Sequence, residues 1–196
     1  ELLEEDAGAL DGLLDQRLVY SQSNGTAELR ERVAALYPGA TAAHVEITNG
    51  GSEANYVATW RLVEPGDEVV MLVPTYMQTW GLARAFGGSV REWRLVEDQA
   101  AGRWRADLAA LDALVSDKTK LIIICNPNNP TGARLTADDL DHIARAADRV
   151  GAWVLVNRTS FGVLSSLAGR NPIMIVWQGA RLSRLGLAGF VIGGAL

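Results

Sequence analysis

A chain of 196 residues with 48% hydrophobic and 21% charged residues has the composition of one soluble domain with a sizeable core. Its net charge of −5 argues against nucleic acid as the main partner, because phosphate backbones need a basic surface. No apolar run approaches the ~18–20 residues that span a bilayer, and the acidic start Glu1-Leu-Leu-Glu-Glu-Asp6 lacks the basic region of a signal peptide. One cysteine, Cys125, and two separated histidines, His44 and His142, leave neither a disulfide framework nor a zinc set, so a cytoplasmic location is expected.

Taken in chain order, Thr26 caps a first helix with Leu29, Val33 and Leu36 facing inward and Pro38-Gly39 closing it. A strand at 45–48 runs into Thr48-Asn-Gly-Gly-Ser-Glu-Ala54, a glycine pair opening a helix. Glu64-Pro-Gly-Asp67 is a turn before a strand at 68–73, which ends in Pro74-Thr-Tyr76. A strand at 90–95 follows the Gly87-Gly88 turn, and Ala101-Gly102 marks another turn. Leu108, Leu111 and Val115 then set a helical stripe. Lys120-Leu-Ile-Ile-Ile-Cys125 is apolar almost throughout, as expected for a strand covered on both faces. Thr136, with Asp139 three residues on, resembles a capping box. Leu140, Ile143, Ala144 and Ala147 form that helix's stripe, and Gly151 stops it. Strands at 153–157, 173–177 and 190–193 complete seven. Strands alternating with helices predict a mostly parallel sheet with helices on its faces.

In such a fold, ligands bind outside the carboxyl ends of the strands. At the first end, the free N–H groups of residues 49–54 make an anion cradle suited to phosphate, although a tight turn needs the same glycines. At the second end, Tyr76 can lie against a planar ring or simply pack. At the strand end after Cys125, Asn126-Pro-Asn-Asn-Pro-Thr-Gly132 forces a rigid turn, from which Asn129 would project into the crevice.

In this order the segments resemble the class I/II aminotransferases of the fold-type-I pyridoxal-phosphate family. The similarity runs from Leu18-Val-Tyr20 and Gly25-Thr-Ala-Glu-Leu-Arg30 through the three strand ends to Gly186-Leu-Ala-Gly189. The resemblance implies a three-layer α/β/α large domain with a mostly parallel seven-stranded sheet across residues 1–196, without the small C-terminal domain. It implies that Gly51 and Ser52 cradle the cofactor phosphate, Tyr76 stacks on the pyridine ring and Asn129 bonds its phenolic oxygen. Tyr20 resembles a tyrosine that reaches the neighbouring subunit's phosphate in family dimers.

The pattern breaks where the cofactor's chemistry is set. That chemistry needs a lysine for the Schiff base and a carboxylate to hold a proton on the pyridine nitrogen. Where the family strand ends in Asp-Glu-x-Tyr, this chain reads Asn157-Arg158-Thr159-Ser160, so Asn157 offers an uncharged amide and Ser160 replaces the tyrosine. Counting back from Gly186, the lysine position falls on Ser183, the family's phosphate-binding serine falls on Ala180, and its later arginine falls on Val191. The only lysines are Lys118 and Lys120, at the start of a strand, and no arginine substitutes because guanidinium stays protonated. No catalytic residue is therefore expected. The losses cluster after residue 156, which points to an inactive, rebuilt or engineered scaffold with at most weak non-covalent binding of pyridoxal phosphate; a decayed paralogue is the other origin. Two further functions stay open: an aminotransferase acting on amino acids without the lysine, and a non-enzymatic interaction module. A monomer and a homodimer are both compatible with the sequence.

Overall fold

The structure is a computed structural model that describes residues 14–15, 17, 19–20, 22–37 and 39–157, together with the backbone of 175–178 and 190–193. The order is α1 (Ala27–Ala34), a 3-10 turn (Ala42–His44), β1 (Val45–Thr48), α2 (Gly51–Leu62), β2 (Glu68–Val73), α3 (Met77–Ala85), β3 (Ser89–Asp98) and β4 (Arg103–Ala106). It continues with α4 (Leu108–Leu114), β5 (Thr119–Cys125), α5 (Ala137–Val150), β6 (Trp153–Asn157), β7 (Ile175–Gln178) and β8 (Phe190–Gly193). Among the described residues, six strands form one sheet in the order β4-β3-β2-β5-β6-β7, and β1 pairs with β8. Strands β3, β2, β5 and β6 run parallel, as do β1 and β8, while β4 and β7 join antiparallel. Each of the seven expected strand regions contains a strand.

The sheet is covered on both faces, and β5 shows why. Ile122 and Ile124 point to one side with Val70, Leu72, Trp93 and Val154, against Leu111 of α4 and Ile143, Ala146 and Ala147 of α5. Leu121 and Ile123 point to the other side with Val69, Met71 and Leu155, against Ala58 of α2 and Ala83 of α3. A strand whose alternate side chains enter two different cores must be apolar at every position, which is the run read in the sequence. Each buried isoleucine or leucine contributes roughly 1.5–3 kcal/mol. Trp93 is fully buried, and its indole N–H donates to the Asp107 carbonyl (2.7 Å) at the start of α4. Among the described residues, no helix is long and apolar enough to cross a membrane.

Two local expectations change. Strand β4 was not foreseen: it forms a hairpin with β3 around the Ala101-Gly102 turn, with Leu95 opposite Ala106. It is short and sits at the sheet edge with Arg103 and Arg105 exposed, so charge on one face masks its alternation. In α1 the inward face is not Leu29, Val33 and Leu36: Leu29 and Leu36 are exposed, Val33 is half-buried, and Ala34 and Tyr37 are buried. Arg30 decides this rotation. Its guanidinium donates to the carbonyls of Gly25 (3.2 Å) and Ala42 (3.0 Å), drawing the 30–34–37 stripe toward the protein. Gly25, at φ 88°, lies so close to Ile47 that an added Cβ would be 2.4 Å from its Cγ1. Only glycine fits that crossing.

The caps follow the sequence. Thr26 accepts from the Leu29 N–H (3.3 Å), and Thr136 and Asp139 exchange hydrogen bonds across the first turn of α5. Gly151 ends α5 in the left-handed conformation.

At the amino end of the sheet, Glu68 joins three elements. Its carboxylate accepts from the Ser116 hydroxyl (2.7 Å) and from Arg91 (3.3 Å), and Arg91 also donates to the Leu114 carbonyl (2.7 Å). The Ser116 hydrogen bond, with the nearby positive charges of Arg91 and Lys118, outweighs partial burial and holds the Glu68 carboxyl below its ordinary range. A carboxyl lowered in the folded state stabilises the fold fully above its unfolded pKa, and this contribution is lost as pH falls through the folded value. The urea midpoint of the parent chain should therefore fall with acidification below about pH 5 more steeply than that of Glu68→Gln. Parallel slopes for the two proteins would remove Glu68 from the acid response.

Candidate functional site

The strand ends are where sequence reasoning placed the chemistry, and each is built by local hydrogen bonding. After β1 the chain turns at Gly50, whose φ of 95° is open to glycine and strained for a residue with a Cβ. Thr48 Oγ1 donates to the Gly50 carbonyl (3.0 Å), and the Gly50 N–H donates to the Thr48 carbonyl (2.9 Å). Glu53 turns its carboxylate outward to the Asn49 N–H (2.5 Å). No side chain among the described residues caps α2. The N–H groups of Gly51 and Ser52 take no hydrogen bond among the described residues, and they stand at the positive end of the helix dipole.

At the end of β2, Tyr76 occupies the cap position of α3 and is 40% exposed. Its carbonyl accepts from the Thr79 hydroxyl (3.1 Å). After β5, the two Asn-Pro bonds of 126–130 are cis, as is Val73-Pro74. Asn126 and Asn128 both turn inward. Asn126 Oδ1 accepts from the Leu135 N–H (3.0 Å). Asn128, 3% exposed, donates from Nδ2 to the Pro74 carbonyl (3.0 Å) and accepts at Oδ1 from the Thr131 hydroxyl (2.7 Å). Asn129 is half-buried and takes no hydrogen bond among the described residues, so its amide remains available to a ligand. Asn157 ends β6, buried, with its carbonyl accepting from the Asn126 N–H (3.0 Å).

A second amide bridge spans the two helix starts. Gln78, in the first turn of α3, donates from Nε2 to the Ser52 carbonyl (2.9 Å) and accepts at Oε1 from Asn55 Nδ2 (3.1 Å). Gly51, Ser52, Tyr76, Asn129 and Asn157 thus lie at strand ends tied together by Ser52–Gln78, Pro74–Asn128 and Asn126–Asn157 bonds. Ser160, Ala180 and Ser183 lie outside the described residues, and Val191 falls within β8. Tyr20 is fully exposed. Asn128, Gln78 and Asn55 were not picked out from the sequence. Asn128 carried a usable signal, since an asparagine between two prolines can hold both flanks with one amide. Gln78 carried none, because its partners lie 23 and 26 positions away.

An uncapped helix start, a partly exposed tyrosine and the Asn129 amide stand at the carboxyl ends of β1, β2 and β5, the kinds of group that could hold the phosphate and ring of pyridoxal phosphate. Asn157 presents an amide and no charge at the end of β6. Lys118 and Lys120 are exposed at the opposite end of β5. Six residues of strand at ~3.3 Å each put Lys120 about 20 Å from Asn126.

Asn128→Ala should cost about 1–2 kcal/mol, since it removes both hydrogen bonds of a buried amide, to the Pro74 carbonyl and from the Thr131 hydroxyl. A urea midpoint unchanged within error would show that the prolines alone hold the loop.

The family model described as aminotransferase class I and II matches residues 7–159. The chain is 33% identical over 135 residues to histidinol-phosphate aminotransferase 2 of Carboxydothermus hydrogenoformans, covering 69% of this chain and 35% of that protein. It is 42% identical over 111 residues to capreomycidine synthase of Streptomyces vinaceus, covering 57% of this chain and 28% of that protein. The crystal structure of a PLP-dependent aminotransferase from Streptococcus suis superposes with a TM-score of 0.70 at 34% identity, over 75% of this chain and 38% of that one. The chain therefore spans about a third of the length of the curated relatives it matches. By sequence and by fold, it belongs to the class I and II aminotransferase family.

Proposed function

We propose that this chain is an aminotransferase-family large-domain scaffold that holds pyridoxal phosphate without a covalent bond and turns over no amino acid. The observation that carries the reading is the position of the two lysines. Both sit at the amino end of β5, and the cradle, the tyrosine and Asn129 sit at the carboxyl ends. When bound, pyridoxal phosphate supplies an electron sink, provided the protein adds an amine at the aldehyde and negative charge at the ring nitrogen.

The residues present serve binding. Gly51 and Ser52 donate backbone N–H groups to the phosphate, assisted by the α2 dipole. Tyr76 stacks on the ring, and Asn129 donates to the phenolic oxygen. Asn157 hydrogen-bonds the ring nitrogen without supplying negative charge, so protonation of that nitrogen is less favoured than beside a carboxylate. Ser160 and Ser183 take the places of a cofactor-contacting tyrosine and the Schiff-base lysine. The substitutions run from Asn157 onward and the family match stops at residue 159, which supports a site wall rebuilt on an intact frame, and engineering is the origin we favour. A cytoplasmic location and a small-molecule partner belong to the same proposal, resting on the acidic charge and the single cysteine.

Titration with pyridoxal phosphate should give binding that dialysis reverses, and Tyr76→Ala should weaken it about tenfold through lost stacking. Transamination of any amino acid above the buffer background would refute the proposal. So would an aldimine absorption band abolished by Lys118→Arg or Lys120→Arg and accompanied by dialysis-resistant binding at the cradle.

A further inference from the structure

We infer that Gln78 is a positioning residue: it sets the spacing between the anion cradle of α2 and the ring-stacking Tyr76, and so selects a ligand that carries a phosphate and a planar ring together. The inference rests on the proposed cofactor reading and deepens it. Gln78 lies two residues after Tyr76 in the first turn of α3, and its amide is spent entirely on α2, with Ser52 on one side and Asn55 on the other. Ser52 supplies one of the unbonded N–H groups of the cradle, and Tyr76 caps the helix that carries Gln78. A movement of either helix start therefore passes directly to the other through one side chain.

The burial of Asn55 shows what this bridge costs. Asn55 is 2% exposed, its Nδ2 has Gln78 as its partner, and its buried Oδ1 has no hydrogen-bond partner among the described residues. A buried amide with half its capacity unmet is less stable than an apolar side chain of similar volume packed in the same place. Stability alone gives no reason for an asparagine here, whereas a donor for Gln78 does. The pair ties the two helix starts by directed bonds, beside apolar contacts farther along such as the edge-to-face pair of Tyr56 in α2 with Phe86 just past α3.

The consequence is specific to ligand shape. Inorganic phosphate needs only the cradle. A ring joined to a phosphate by a short arm needs the cradle and Tyr76 at one separation. Pyridoxamine phosphate is the probe, since it has the same ring and phosphate and no aldehyde to label lysines.

In the 196-residue chain, Gln78→Met should weaken pyridoxamine phosphate tenfold or more and inorganic phosphate less than threefold. Met conserves volume and removes both hydrogen bonds. The companion Asn55→Leu/Gln78→Met removes both partners of the bridge, which guards against failure to fold, and should show the same loss of selectivity. Equal weakening of the two ligands, or none, in a parent that binds both overturns the inference. If the parent binds neither ligand, the cofactor reading fails, and amide hydrogen exchange at residues 54–58 decides on positioning: faster exchange in Gln78→Met upholds the bridge, and unchanged exchange overturns it.

Discussion

Where a parallel strand ends, the last peptide groups lose their ladder partners, and the loop that leaves must satisfy them some other way. In this protein, side-chain amides do so on the rim where the site lies. Asn128 carries the largest share, holding the Pro74 carbonyl of one loop and the Thr131 hydroxyl of another from a buried position. Asn126 secures the approach to α5, and Gln78 spans the starts of α2 and α3. A hydrophobic core positions helices to within a sliding motion. These directed bonds set where the ends of the strands stand relative to one another.

The two ends of the sheet are held by different chemistry, and the difference bears on function. The amino end uses charge: Glu68, Arg91 and Ser116 clasp β2, β3 and the turn before β5. The carboxyl end uses neutral amides, and the first N–H groups of α2, at the positive pole of the helix, have no partner among the described residues. Unbonded donors at the positive pole of a helix are the arrangement that attracts anions. The same polarity keeps the lysines of β5 far from that rim, because a strand of seven residues separates its two ends.

The family model covers residues 7–159, a stretch that runs from before α1 to just past the end of β6. The frame through β6 retains the turns, caps and apolar strands that build the large domain, and these features depend on backbone demands such as the φ of Gly50 and the crossing of Gly25 over Ile47. Asn157, buried at the end of β6, accepts from the Asn126 N–H through its carbonyl. Stability at this point comes from burial and a satisfied hydrogen bond, neither of which needs a charged side chain.

Much of this was legible without coordinates. The all-apolar run of β5, the Thr136–Asp139 cap, the Gly151 stop and the Glu64-Pro-Gly-Asp67 turn are local features, governed by residues a few positions apart, and so the sequence alone determined them. That residues 1–196 hold two lysines, Lys118 and Lys120, is likewise read from the sequence. Tertiary structure decided the rest. Arg30 turned α1 so that Leu29 and Leu36 face out, the edge strand β4 hid behind its arginines, and Asn128, Gln78 and Asn55 found partners up to 54 positions away. Periodicity reports which side of an element is apolar. Only the packed fold brings together the donors and acceptors of distant segments, because each direction depends on the positions of both.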